Sequence, residues 1–229
     1  IDNLTGGRAG IAFASGWQPD DFVLRPENSP PNNKPALFDA LEDVRKLWVG
    51  EEVEFAKADG TKVARLTQPR PVSQKLNAWV TTAGNPDTWR QAGESGCHVL
   101  THLLGQSIEE VGEKIKIYHE GLRKSGHNPA EFTVTLLLHT YIAADRDTAR
   151  EVAREPMKNY LRSAADLIKQ YAWAFPAFKR PEGASTAREL DLGSLEKDEL
   201  EAILDLAFGR YFDRAGLFGT VDDALARVE

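Results

Sequence analysis

Apolar positions along the chain alternate between two rhythms. Short runs of small, β-branched or aromatic residues recur at AGIAFA (residues 9–14), AWVTT (78–82), HVLTH (98–102) and FTVTLLLHTYI (132–142), each bounded by turn-forming residues. Runs this short and this apolar predict strands of a parallel sheet buried on both faces. Between them, apolar residues return every three or four positions. Leu37, Leu41, Val44 and Trp48, with Phe38 and Leu47 beside them, predict an amphipathic helix over residues 34–49. Further helices are predicted over 87–94, 108–124 and 147–171, and Pro156 is expected to kink or divide the last of these. A helix that starts at Ser194, followed by Asp198 and Glu199, and runs through Tyr211, and another capped by Thr220, complete the series.

Four segments fall outside this alternation. Residues 51–67 read as a β-hairpin, with VEF and VARL flanking a two-residue Asp59-Gly60 turn. Residues 18–35, rich in Pro, Asn and Asp, predict a long excursion over the strand ends. Residues 174–194, with Pro176, Pro181, Gly183 and Gly193, predict an irregular insertion, and residues 215–220 read as a loop. Four strand–helix units in series imply an α/β protein whose parallel sheet is covered by helices. A (β/α)8 barrel and a doubly wound sheet both satisfy that pattern. The opening residues read as a turn between a preceding helix and a strand, and the last helix stops without a capping glycine. Both ends are therefore expected to be cuts within one larger domain.

Composition narrows the function. Of 229 residues, 41% are hydrophobic and 28% charged, as in ordinary globular proteins. A net charge of −7 leaves no basic stripe for phosphate neutralisation, which argues against a nucleic-acid partner. No apolar run approaches the roughly 18 residues that a membrane span needs, and no signal peptide opens the chain, so the cytoplasm is expected. The single cysteine, Cys97, excludes an intramolecular disulfide and reads as an inert buried thiol.

Candidate chemistry concentrates where strands give way to helices. After the strand ending at Thr82, Ala83 and Gly84 lead to Asn85 at a helix N-cap position and Pro86 at the first helical position. Gly84 lacks the side chain that would hold a ligand off the backbone, so amides and helix dipole could bind an anion there. A capped strand–helix loop without a ligand uses the same residues. Asp87 places a negative charge beside that position, an objection unless it only complements the dipole. His98 and His102 face the same way on one strand, and His139 lies near the end of the next. The expected carboxylate partners of a metal are missing from the strand ends, so no metal site is predicted. His102 is read as a hydrogen-bond partner of phosphate or substrate, His98 as a packing residue, and His139 as either a core or a functional histidine. Trp17 could stack on a ligand or lie buried under the long loop. Arg8 precedes its strand and predicts structural ion pairing, while the acidic run 196–201 predicts a solvated helix face. Tyr160, Arg162 and Ser163 could line a substrate or belong to the core.

Three segments, LTGGRAGIAFASGW, WVTTAGNPDTWRQAGESGCHVLTHLLGQ and GLFGTVDDALARVE, together resemble the bacterial luciferase-like monooxygenases. The further segment EPMKNYLRSAADLIK is similar to the subgroup found in polyketide and non-ribosomal peptide assembly lines. The resemblance covers essentially the whole chain and implies a luciferase-like (β/α)8 barrel. The chain would supply about strands four to seven, with an insertion after strand seven. A piece of this kind would expose two apolar sheet edges. The resemblance further implies reduced FMN as cosubstrate, a C4a-hydroperoxyflavin formed with O2, and oxygenation of a natural-product intermediate. A flavin reductase would supply FMNH2, the substrate would be a small molecule or carrier-bound, and homodimerisation is a family expectation. By the same resemblance Ala83, Gly84 and Asn85, with Thr82, would hold the phosphate end of the cofactor. Ala14, Ser15 and Gly16 would lie along the flavin, and Thr101 and His102 would complete the cofactor site. Catalytic residues stay unassigned, with His102 and His139 as candidates. A coenzyme F420-dependent oxidoreductase and a non-catalytic flavin-binding domain are the alternatives.

Overall fold

A computed structural model describes residues 1–17, 19–171 and 197–228. The chain divides into two compact units. The first comprises Ile1–Thr82, Asp87–Leu100 and Tyr118–Thr135, and the second Ala83–Pro86, Thr101–Ile117 and Leu136–Glu229. The elements follow the order α1 (Asp2–Thr5), β1 (Gly10–Phe13), α2 (Asn33–Val49), β2 (Val53–Ala56), β3 (Lys62–Arg65), β4 (Asn77–Thr81), α3 (Pro86–Glu94) and β5 (His98–His102). They continue with α4 (Ile108–Lys124), β6 (Val134–Leu137), β7 (Thr140–Ile142), α5 (Arg146–Tyr171), α6 (Lys197–Arg214), β8 (Leu217–Gly219) and α7 (Val221–Val228). The main sheet runs β1-β4-β5-β6, and β1, β4 and β5 pair in parallel, as the alternation of strands and helices requires.

In the first unit the two faces of this sheet differ. Ala78, Val80 and Val99 are buried, as are Trp89 and Ala92 of α3 and Tyr118 and Leu122 of α4. Helices α3 and α4 cross backbone to backbone, because a Cβ at Gly93 would lie 2.4 Å from the Tyr118 carbonyl oxygen. From the other side, a Cβ at Gly121 would lie 2.6 Å from the Arg90 carbonyl oxygen. The opposite face of the sheet is half-open. There the Trp79 ring stacks on His98 at 4.6 Å, and its Nε1 donates to Thr135 Oγ1 at 3.2 Å. Gly10 makes room for it, since a Cβ there would fall 2.6 Å from the indole.

In the second unit β7 and β8 form a parallel pair. Ala149, Ala153, Met157 and Leu161, every fourth residue of α5, bury against Leu204, Phe208, Tyr211 and Phe212 of α6 and Phe218 of β8. Along the rim of this core the cations of α5 meet the acids of α6. Arg146 and Arg150 reach Asp213 at 2.9 and 2.8 Å, Arg154 reaches Asp205 at 3.2 Å, and Arg162 reaches Glu201 at 2.7 Å. Lys158, the most enclosed of the cations, lies 2.8 Å from Glu201 and 3.2 Å from Asp205.

Several expectations are corrected. The run at residues 132–142 is two strands, because the ladder breaks at Leu138-His139 and β7 moves onto β8. Exposed Thr133, Thr135 and Leu137 show that β6 has one open face and is not buried on both. Residues 215–220, read as a loop, contain β8, which was too short to announce itself. The hairpin turn is wider than two residues: Lys57 N–H bonds to Thr61 O, leaving Ala58, Asp59 and Gly60 outside the ladder. Gly60 alone has a positive φ there, whereas a two-residue type I′ turn needs two such residues and type II′ needs its glycine first. Pro156 does not divide α5, since it and Val152 one turn earlier lie on the exposed side, where a carbonyl freed by proline meets water. Glu201, expected on a solvated face, is bound by Lys158 and Arg162. The insertion at 174–194, the helix start at Ser194 and Glu196 lie outside the described residues. Thr220 caps α7 as expected, its Oγ1 accepting from Asp223 N while Asp223 accepts from Thr220 N.

Candidate functional site

The turn after β4 is built as its sequence dictates. β4 ends at Thr81, Thr82 N still bonds Leu100 O at 3.0 Å, and α3 opens on Pro86. Ala83 is half-buried, while Gly84 and Asn85 are exposed. Among the described residues, a Cβ added at Gly84 would meet no atom within 4 Å, so they leave the space beside this backbone open. The Asp87 carboxylate is held within the first turns of α3 by Arg90 and Gln91. The hydrogen bond from Arg90 keeps its pKa below the ordinary aspartate value, so the charge persists but is already paired. Thr82 itself is buried, and its N–H is already used by Leu100 O, so it offers a ligand no backbone donor.

In the first unit, Ala14 is exposed and Ser15 and Gly16 half-buried in the segment after β1. Gly16 has φ +74°, and a Cβ there would lie 2.9 Å from the Phe22 ring. Glycine is thus required at this bend for local reasons. Trp17 is exposed, so it is not buried under the following loop, and its N–H donates to Asp21 Oδ2 at 2.8 Å.

In the second unit, Thr101 and His102 end β5 with opposite fates, as alternation along a strand demands. Thr101 is buried, and its Oγ1 accepts from Gln106 Nε2 at 2.8 Å, so its side chain faces the protein rather than a ligand. His102 is half-buried, and its Nδ1 accepts from Leu104 N at 3.1 Å. Burial lowers the His102 pKa, and neighbouring His139 lowers it further, which favours the neutral ring. His139 sits between β6 and β7 with Nδ1 2.8 Å from Tyr211 Oη and its ring 4.6 Å from that of Tyr160. Burial lowers its pKa as well and raises that of Tyr211. Arg162 binds Glu201, and Ser163 Oγ donates to Tyr160 O, which ties both to helix structure. Gln106, Trp79 and Tyr211 were missed by sequence reasoning. The glutamine was visible in THLLGQ, but only the folded turn reveals its partners.

The remaining candidates have structural roles. His98 stacks on Trp79, and its Nδ1 accepts from Thr133 N at 2.9 Å. Cys97 is fully buried, and burial raises its thiol pKa despite the Arg45 guanidinium 3.2 Å from Sγ. Arg8 donates to the Thr5 carbonyl at 2.9 Å, a hydrogen bond in place of the expected ion pair. Among the described residues, no group of three His, Cys, Asp or Glu side chains is placed to hold a metal. None of the described helices is long and apolar enough to cross a membrane. A concavity of about 690 Å³ lies in the first unit, lined by Ile1, Leu4, Gly10, Leu47, Trp48 and Pro69 among others. It is largely apolar and opens beside the start of β1.

Comparison with known proteins identifies the architecture. No curated protein sequence matches the chain. Among solved structures, it is similar to a monooxygenase from Streptomyces bottropensis, at 20% identity and a TM-score of 0.66 over 99% of this chain and 58% of that one. It is equally similar in fold to the FMN-bound oxygenating constituent of 3,6-diketocamphane monooxygenase from Pseudomonas putida. That match has 16% identity and a TM-score of 0.66, covering 99% of this chain and 61% of that one. A coenzyme F420-dependent tetrahydromethanopterin reductase from Methanopyrus kandleri also matches, at 16% identity and a TM-score of 0.62, over 98% of this chain and 65% of that one. The chain therefore spans about three fifths of the length of these structures. Their shared fold decides for a partial (β/α)8 barrel over a doubly wound sheet. The sequence profile of the luciferase-like monooxygenases matches residues 1–228, and the chain belongs to that family.

Proposed function

We propose that this chain is the cofactor-binding part of a flavin-dependent monooxygenase that uses reduced FMN and O2 to oxygenate an organic natural-product intermediate. The observation that carries the reading is the open backbone at Gly84, directly before the N-terminus of α3, in a chain of this family. The residues present fit a phosphate there. The position is exposed, no described side chain fills the space at Gly84, the dipole is favourable, and the Asp87 carboxylate is paired with Arg90. Ala83, Gly84 and Asn85 would hold the phosphoryl end, and His102 would donate a hydrogen bond to an acceptor oxygen. When bound, reduced flavin would supply the activation of dioxygen, while the protein binds, orients and excludes water. A flavin reductase would deliver the reduced cofactor, and the substrate would be a small molecule or a carrier-bound intermediate.

Titration with FMN tests the cradle. Gly84→Glu places bulk and negative charge at the phosphate position and should weaken FMN binding by at least about tenfold, the effect of roughly 1.4 kcal/mol. Unchanged affinity would remove the assignment. Oxygen uptake coupled to FMNH2 oxidation distinguishes this reading from hydride transfer with coenzyme F420, which consumes no oxygen, and from a binding domain without chemistry.

A further inference from the structure

The turn that follows β5 is held by a single buried amide. Gln106, 1% exposed, donates from Nε2 to Thr101 Oγ1 at 2.8 Å and to the His102 carbonyl at 2.6 Å. Its Oε1 accepts from the enclosed ammonium of Lys114 at 2.6 Å. An ammonium can only donate, so Lys114 fixes which end of the amide carries the oxygen and turns the NH2 toward the two acceptors. Gly105, with φ +92°, lets the chain close the turn over this anchor. In the closed turn the Leu104 N–H points at His102 Nδ1. A ring nitrogen that accepts from a backbone amide carries no proton, so the proton of the neutral imidazole resides on Nε2. Nε2 meets no hydrogen-bond partner among the described residues, and none of their buried side-chain nitrogens or oxygens is unpartnered, so it is open to solvent.

We propose that Gln106, oriented by Lys114, is a positioning residue that holds His102 as an outward Nε2–H donor for an acceptor oxygen of a bound flavin nucleotide. The inference rests on the flavin reading above and deepens it. It assigns His102 the work of a hydrogen-bond donor and excludes it as a general base in this arrangement, since the unprotonated nitrogen is occupied by Leu104. The acceptor is either a phosphate oxygen or a ring carbonyl, two groups that FMN carries together and riboflavin separates.

The test has two arms on the full chain. Histidine labelled with 15N gives long-range 1H–15N spectra at pH 7.5, in which the His102 signal is identified by its loss in His102→Ala. The wild type should show protonated Nε2 and bare Nδ1. Gln106→Met, and Gln106→Glu, which keeps a partner for Lys114 but offers no donor to the His102 carbonyl, should each shift the signal toward mixed tautomers. A pure Nε2–H pattern in both folded variants would overturn the positioning role. In the second arm, FMN and riboflavin are titrated into wild type and His102→Ala. One lost hydrogen bond predicts binding weaker by about three- to tenfold. Loss for FMN alone identifies phosphate, equal loss for both identifies the ring, and no loss for either overturns the donor assignment. Wild type that binds neither nucleotide refutes the flavin reading and the donor assignment with it, while the imidazole spectra still decide on Gln106.

Discussion

Gly93→Ala should destabilise the protein even though alanine is the better helix former. The new Cβ would sit 2.4 Å from the Tyr118 carbonyl oxygen and 2.9 Å from Leu122 N, where ordinary contact begins near 3.4 Å. The overlap is about 1 Å against backbone, which cannot swing aside as a side chain would, so α3 and α4 must part. Overpacking of this kind costs about 2–3 kcal/mol, and the gain in helix propensity returns about 1 kcal/mol. The net loss of about 1–2 kcal/mol corresponds to a melting temperature lower by roughly 2–8 °C for a chain of this size. Gly121→Ala, whose Cβ would meet the Arg90 carbonyl oxygen at 2.6 Å, should behave alike. The double variant should cost less than the sum, because the helices part only once. Gly112→Ala on α4 meets none of the described residues within 4 Å and should be neutral or stabilising by up to about 1 kcal/mol. Thermal and urea melts of the four variants decide the matter. A Gly93→Ala protein as stable as wild type, or a Gly112→Ala protein equally damaged, would refute the close crossing.

Gly10→Val should cost about 1–3 kcal/mol and alter tryptophan emission, because the Trp79 ring is pinned by His98 and Thr135 and cannot retreat. Native Cys97 should react with a thiol reagent far more slowly than the urea-unfolded chain; fast native labelling would contradict its burial. Hydrogen bonding holds three carboxylates below their ordinary range: Glu201 through Lys158, Asp223 through Thr220 and Asp2 through Ser73. Such groups bind protons less readily folded than unfolded, so the stability they add is present above about pH 4.5 and lost as pH falls through their lowered values. Denaturant melts from pH 7 to pH 3 should show this decline, and Lys158→Met should flatten it.

Local rules carried most of the element order. The helix at Asn33–Val49, the strand at His98–His102 and the start of α3 at Pro86 fall within a residue of where periodicity and capping place them, since each is decided by its own side chains. The break at His139 and the strand Leu217–Gly219 were illegible, because both depend on partners far along the chain: Tyr160 and Tyr211 for one, β7 for the other. The same division runs through the candidate site. Gly84 was readable from the chemistry of a strand–helix turn. Gln106 was not, because a buried glutamine declares its purpose only through Thr101, His102 and Lys114. Thr101 had looked like a ligand contact, but strand alternation turns it inward once the neighbouring helix is in place.

The arginine and lysine ladder of α5 is more permissive of alignment than the core it borders. Cations recur at 146, 150, 154, 158 and 162, a period that would tolerate sliding by a full turn. The opposing acids are not periodic in the same way. They stand at 201, 205 and 213, and Gly209 occupies the place where a fourth would fall. Arg150 reaches past that gap to Asp213 and also lies over the Phe212 ring at 4.5 Å. A one-turn slip would still set a cation opposite each acid, so the ladder tolerates more than one alignment; the choice falls to the unequal side chains beneath it, where Ala149 and Ala153 share the core with Met157 and Leu161.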